Sequence, residues 1–252
     1  MKPLVRKVMS LVAAVTLLGS LALAQSAGAG RFDTQIQQQV IHKLAAKKQF
    51  QNIRASAEDG IVTLRGSVNV YQDKLDAAKR AKVEHATGVR NLIGVAGATV
   101  PDAQLQSKLN EKLWYDRMGF DNAFDYVSVS VNNGVATVSG EALTEVARDS
   151  ALSIVQRMPG VKDVVSNVAV SPVSTFDDSV RLRAVRALYD DPTLGKYATD
   201  PALPIRIIVD RGTLKLYGTV ENAMDKDVAG IRANQVFGAF RVENHLTVAN
   251  AS

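Results

Sequence analysis

No cysteine occurs in the 252 residues. That excludes a disulfide scaffold, a thiolate metal site, a cysteine nucleophile and the lipid-bearing cysteine of a lipoprotein. Histidine is scarce: His42, His85 and His245 fall in different stretches, and no two have metal-ligand spacing. HExxH and GxSxG are absent. The run Gly94 to Gly97 is not followed by a phosphate-cradling helix. Acids are plentiful, as Asp177-Asp178 and Asp190-Asp191 show. Adjacent acids near a helix end are usually caps or solvated loops. The chain therefore reads as a non-enzyme, with no catalytic residue, no metal and no cofactor.

What is present is an ordinary globular balance, 46% hydrophobic and 22% charged. Residues 1–29 stand apart. Lys2, Arg6 and Lys7 precede Val8 to Ala24, which carry no charge. Small residues at Ala22 and Ala24, and again at Ala27 and Ala29, offer cuts after 24 or 29. This is the pattern of a secretory signal peptide. The alternative is a retained anchor, for which the run is slightly short of the ~20 residues of a span. Removing the signal lowers the net charge from +5 to +2 by taking away those three cations. The basicity of the whole chain thus argues for no nucleic-acid partner.

The remainder repeats itself. "DGIVTLRGSV" (Asp59 to Val68), "NGVATVSGEA" (Asn133 to Ala142) and "RGTLKLYGTV" (Arg211 to Val220) align on Gly60, Gly134 and Gly212. Apolar residues two and four later give period two, hence a half-buried strand. A second glycine follows at Gly66, Gly140 and Gly218. Its parity puts it on the buried face, where a helix would approach closely. The first glycine reads as a hairpin turn needing positive φ. Each turn follows an alternating run: Ile53, Ala55, Ala57; Val127, Val129, Val131; Ile205, Ile207, Val209. A helix and a third glycine come next, at Gly88, Gly160 and Gly238, and then a last strand. Upstream of each hairpin another helix is predicted from Ile36, Val40, Ile41, Leu44; from Leu105, Leu109, Leu113; and from Leu182, Val185, Leu188. The fold class is α+β: three tandem αββαβ modules, each a three-stranded mixed sheet covered on one face by two helices. Their expected extents are 31–100, 102–171 and 176–249.

The pattern "GVxxVxNxLxV" after the helix resembles the BON domain family, named for bacterial OsmY and nodulation proteins. Gly160, Val161, Val164, Asn167 and Val170 carry it in the second module, and Gly238, Val242, Asn244, Leu246 and Val248 in the third. The first copy departs, with Gly94 where the third has Asn244. The resemblance implies an OsmY-like periplasmic protein with three BON repeats: exported, non-catalytic and without a lipid anchor. It also implies a link to osmotic stress, envelope integrity or transport, and contact with phospholipid. A protein–protein or chaperone-like module of the periplasm is the alternative.

Two sets of side chains are candidates for that contact. Residues 31–100 hold 11 basic and 6 acidic residues, residues 101–172 hold 6 and 9, and residues 173–252 hold 10 and 10. The basic excess of the first module sits in Lys43, Lys47 and Lys48 and in Lys79, Arg80 and Lys82. They read as a lipid-headgroup surface, as a solvated helix face, or as a face docking on the acidic second module. The second and third modules carry long insertions before the hairpin, and insertions of a repeat emerge on one face. The first insertion holds Trp114, Tyr115, Phe120 and Phe124, which read as an interface or as filling between modules.

Overall fold

The computed structural model describes residues 30–116, 123–200 and 204–249. These fall into two compact units, one ending at Ala98 and one starting at Thr99. Residues 1–29, read above as a signal peptide, and Phe120 lie outside the described residues.

The first unit is one module. Helix α1 (Asp33–Ala45) leads to β1 (Ile53–Glu58) and β2 (Ile61–Val68), then to α2 (Tyr71–Arg80) and β3 (Gly88–Val95). β2 is central, antiparallel to β1 and parallel to β3. Ile36, Val40 and Leu44 of α1 meet Val62, Leu64 and Ile93 of the sheet in one core. The second unit holds two further copies. One is α3 (Asp102–Tyr115), β4 (Tyr126–Asn132), β5 (Val135–Ala142), α4 (Glu145–Gln156) and β6 (Asp163–Val170). The other is α5 (Thr175–Tyr189), β7 (Ile205–Asp210), β8 (Thr213–Val220), α6 (Ala223–Asn234), β9 (Arg241–Asn244) and β10 (Thr247–Val248). β9 and β10 pair with β8 in one unbroken register, so they are one interrupted strand. Three mixed sheets under helices are the architecture read from the sequence.

Each hairpin closes through a two-residue loop with both residues at positive φ: Asp59 and Gly60, Asn133 and Gly134, Arg211 and Gly212. This is the primed turn whose twist matches paired strands. A carboxylate at the start of the preceding helix grips each loop. Asp33 accepts from the Asp59 and Gly60 N–H groups at 2.9 Å each. Asp102 accepts from Asn133 and Gly134 at 2.6 and 3.0 Å, and Asp177 from Arg211 and Gly212 at 3.1 and 2.8 Å. The helix is thereby pinned to the turn end of its sheet.

Two expectations are corrected. The second glycine is not a cavity for a helix. A Cβ on Gly66, Gly140 or Gly218 would meet the carbonyl oxygen of Asn52, Tyr126 or Pro204 at 2.0, 2.0 and 1.8 Å. The close neighbour is backbone of the first strand, at a kink with φ of 119 to 134°. Gly66 is in fact exposed. Nor does Gly88 match Gly160 and Gly238. The N–H groups of Thr87, Lys162 and Phe240 bond the carbonyls of Gly60, Gly134 and Gly212. Two residues earlier stand His85, Gly160 and Gly238, all at positive φ. In this register Asn91, not Gly94, matches Asn244, and in the second copy Ser166, not Asn167, stands at that place. Asn91 and Asn244 each donate to a carbonyl of the second helix, Lys74 and Lys226, at 2.8 Å. The first copy therefore keeps the asparagine that its sequence seemed to lack.

Helix faces also differ in part. Leu105, Leu109 and Leu113 are buried as their spacing requires. Ile41 and Leu182 are exposed; α5 buries Leu188 as read, with Val180 and Ala184 rather than Leu182 beside it.

Candidate functional site

Module 1 carries its positive charge on two surfaces. α1 starts at the turn end, because Asp33 holds the turn, and so it ends at the far end of the sheet. α2 runs the opposite way, since Thr87 beyond it returns to the turn. Lys43, Lys47 and Lys48 therefore stem from one end of the helical layer and Lys79, Arg80 and Lys82 from the other. They do not form one compact patch. Arg80 bridges toward the first group, with its guanidinium 5.7 Å above the Phe50 ring. The five lysines are exposed.

The opposite, helix-free face of the sheet bears Arg54, Arg65 and Arg90. Arg54 lies directly opposite Arg65, and Arg90 pairs with Thr63 one step along the same face. Like charges set opposite each other cost stability. All three are exposed, and among the described residues their side chains make no hydrogen bond or ion pair. The sequence reading missed them, although they alternate with the buried residues of their strands, which places them on that face.

The described residues of the first insertion make contacts within the second unit. Trp114, at the end of α3, lies 4.8 Å beneath the guanidinium of Arg206, which is only 4% exposed. Phe124 packs against the core of module 3. Tyr126 stacks on Tyr217 at 4.3 Å, and Lys215 meets Glu141 at 2.6 Å. These contacts form a seam between modules 2 and 3. Of the four aromatic candidates, Tyr115 is 54% exposed.

The second insertion carries the most concentrated titratable cluster. Tyr197, in a short 3-10 turn, donates its hydroxyl to Asp225 at 2.5 Å, and Lys196 sits 2.8 Å from the same carboxylate. Lys196 also reaches Glu221 at 2.5 Å. Burial pushes the Asp225 carboxyl up, but hydrogen bonds from Lys196 and Tyr197 outweigh it and hold the group below its ordinary range. Hydrogen bonds to Asp225 and Glu221 push the Lys196 ammonium up. Burial, then Asp225, pushes the Tyr197 phenol up. A base or nucleophile at neutral pH needs the reverse shifts. The cluster is a clamp that fastens the insertion onto α6. Asp191 acts likewise: it accepts from Thr193 and Leu194 and meets Arg232 at 2.6 Å. Among the described residues no group of three His, Cys, Asp or Glu is placed to hold a metal ion. No described helix is long and apolar enough to cross a membrane.

Pinned αββαβ units in tandem, with basic and aromatic surfaces, define a class of small repeated modules. The sequence matches the BON domain family at residues 32–97, 101–172 and 193–250, and the chain belongs to that family. No curated protein matches it. Two solved structures are similar in part. One is CdsD, a structural protein of the type III secretion system of Chlamydia trachomatis, at 14% identity over 84% of this chain and 90% of that one, with a TM-score of 0.26. The other is the periplasmic domain of PrgH, a type III secretion inner-membrane protein of S. typhimurium, at 9% identity over 82% and 99%, with a TM-score of 0.19. Scores this low carry no argument about the present chain.

Proposed function

We propose that the protein is an exported, non-catalytic binding protein of the bacterial periplasm, tied to envelope integrity or osmotic stress, that contacts anionic phospholipid through module 1. The observation that carries this reading is the charge of that module. Eleven basic residues face six acidic ones there, while the other two modules are acidic or balanced. Nine of the eleven are Lys43, Lys47, Lys48, Lys79, Arg80, Lys82 and the three sheet-face arginines. Headgroup attraction supplies on the order of 1 kcal/mol per cation near an anionic bilayer at low salt. Several together hold a protein weakly, without insertion. Residues 1–29 are read as the export signal, with the mature chain starting at Gln25 or Gly30.

Two measurements test this. Intact mass of the periplasmic protein gives its first residue, and a membrane-bound product retaining Met1 contradicts export. Reversing Lys43, Lys47, Lys79 and Lys82 to glutamate removes the low-salt binding to phosphatidylglycerol vesicles, whereas Trp114→Ala leaves it, since that ring is used in the seam. Binding untouched by the reversal turns the assignment to protein docking in the periplasm.

A further inference from the structure

Three of the seven phenylalanines stand exposed at the turn end of module 3: Phe176 at 44%, Phe237 at 82% and Phe240 at 78%. Phe176 directly precedes the aspartate that grips the β7–β8 turn. Phe240 donates its N–H to Gly212 at 2.9 Å and stacks on Phe176 at 5.5 Å. Phe237 lies 5.6 Å below the Arg183 guanidinium, which also donates to the Phe237 carbonyl at 2.6 Å.

The chain contains its own control for these rings. The residues that bond the turn glycine as Phe240 does are Thr87 and Lys162 in the other modules. Three positions earlier, where module 3 has Phe237, stand Glu84 and Pro159. The same turn closes with polar or small groups twice, so the fold does not need phenylalanine at either place. Exposed apolar rings cost solubility, yet three are grouped here.

We propose that Phe237 and Phe240 form a tip that enters the interfacial zone of a phospholipid bilayer. This rests on the phospholipid reading above and adds a second contact, on a different module and of a different kind. At these exposures the three rings offer roughly 300–500 Å², taking 150–250 Å² for a whole aromatic side chain. A standard protein interface takes about 800 Å² from each partner. The tip is too small for a stable protein partner, whereas a bilayer sets no minimum area and accepts each ring singly. Arg211 and Arg241 neighbour the rings in sequence, with side chains 86% and 73% exposed. They meet Asp210 at 3.5 Å and Glu243 at 3.0 Å, so the tip is close to neutral. Its contact is therefore insensitive to salt, unlike that of module 1.

The test is vesicle co-sedimentation of the mature full chain at physiological salt, on phosphatidylethanolamine vesicles with and without phosphatidylglycerol. Phe237→Asp with Phe240→Asp lowers the salt-resistant partition about ten-fold or more. Phe237→Ala, at a ring that is nearly all in solvent, lowers it with no change in the urea midpoint. In Phe237→Trp, vesicles bring a blue shift absent from the wild type, whose one tryptophan is held in the seam. Charge reversal in module 1 leaves the salt-resistant part in place. If the aspartate variant binds as the wild type does while charge reversal abolishes binding, the tip is overturned and the module 1 reading stands. If the wild type binds neither vesicle, both fall. If the aspartate variant instead turns a dimer into a monomer, the tip belongs to a second copy of the chain and the proposal is overturned.

Discussion

Asp33, Asp102 and Asp177 each satisfy two turn N–H groups, and the consequence is sharpest at Asp177, which is 2% exposed. Asp177→Ala strands the Arg211 and Gly212 donors and should cost on the order of 2–4 kcal/mol, read from the urea midpoint. Gly140→Val should cost the upper part of about 1–3 kcal/mol or more, because the neighbour is a backbone carbonyl that cannot swing aside. An unchanged midpoint in Gly140→Val contradicts the strand register. Asp225 sets a pH dependence. Its folded pKa is depressed, so its contribution is full above the unfolded value near 3.9 and is lost as pH falls through the folded value. The melting temperature of Asp225→Asn should therefore fall less steeply than that of the wild type on acidification below about pH 4. Lys196 has the opposite sign: its folded pKa is raised, so its contribution is full below about 10.4 and fades only in strong alkali.

At the scale of elements, strands were the easiest to read from sequence. Val62 and Leu64, Ala136 and Val138, and Leu214 and Leu216 alternate strictly and are fully buried. Helix faces were harder. In α5 the inward side is Val180, Ala184 and Leu188, with Arg181 bonding the Val209 carbonyl, and a hydrophobic pattern alone cannot foresee a buried arginine. A histidine does not advertise a left-handed position as glycine does, so His85 is not legible as the counterpart of Gly160 and Gly238, and the asparagine register depends on it. Lys43, Lys79 and Arg80 lie on the two helices, whereas Lys47, Lys48 and Lys82 fall just past the helix ends; which end of the layer each group occupies follows from the aspartate clamp, which the sequence does not announce. The seam gives a prediction at this scale. Trp114 is half-buried between modules 2 and 3, and Trp114→Ala should destabilise the second unit by roughly 2–3 kcal/mol. Calorimetry of the mature chain reads this as a lowered transition. An unchanged thermogram contradicts the seam.

Over the whole molecule, one fold is used three times with different surfaces. Module 1 presents exposed cations, module 3 presents exposed phenylalanines, and module 2 gives Trp114 and Phe124 to the seam. Tyr197, Lys196 and Asp225 fasten the insertion of module 3 onto α6. The measurement that tests the central claim most directly is co-sedimentation of the mature wild-type chain with phosphatidylglycerol-containing and phosphatidylethanolamine-only vesicles over a salt series. The account predicts strong binding to the anionic vesicles at low salt, weakening toward physiological salt as the charges are screened over a Debye length of about 8 Å. Equal recovery in the supernatant with and without anionic lipid, at every salt concentration, would contradict it.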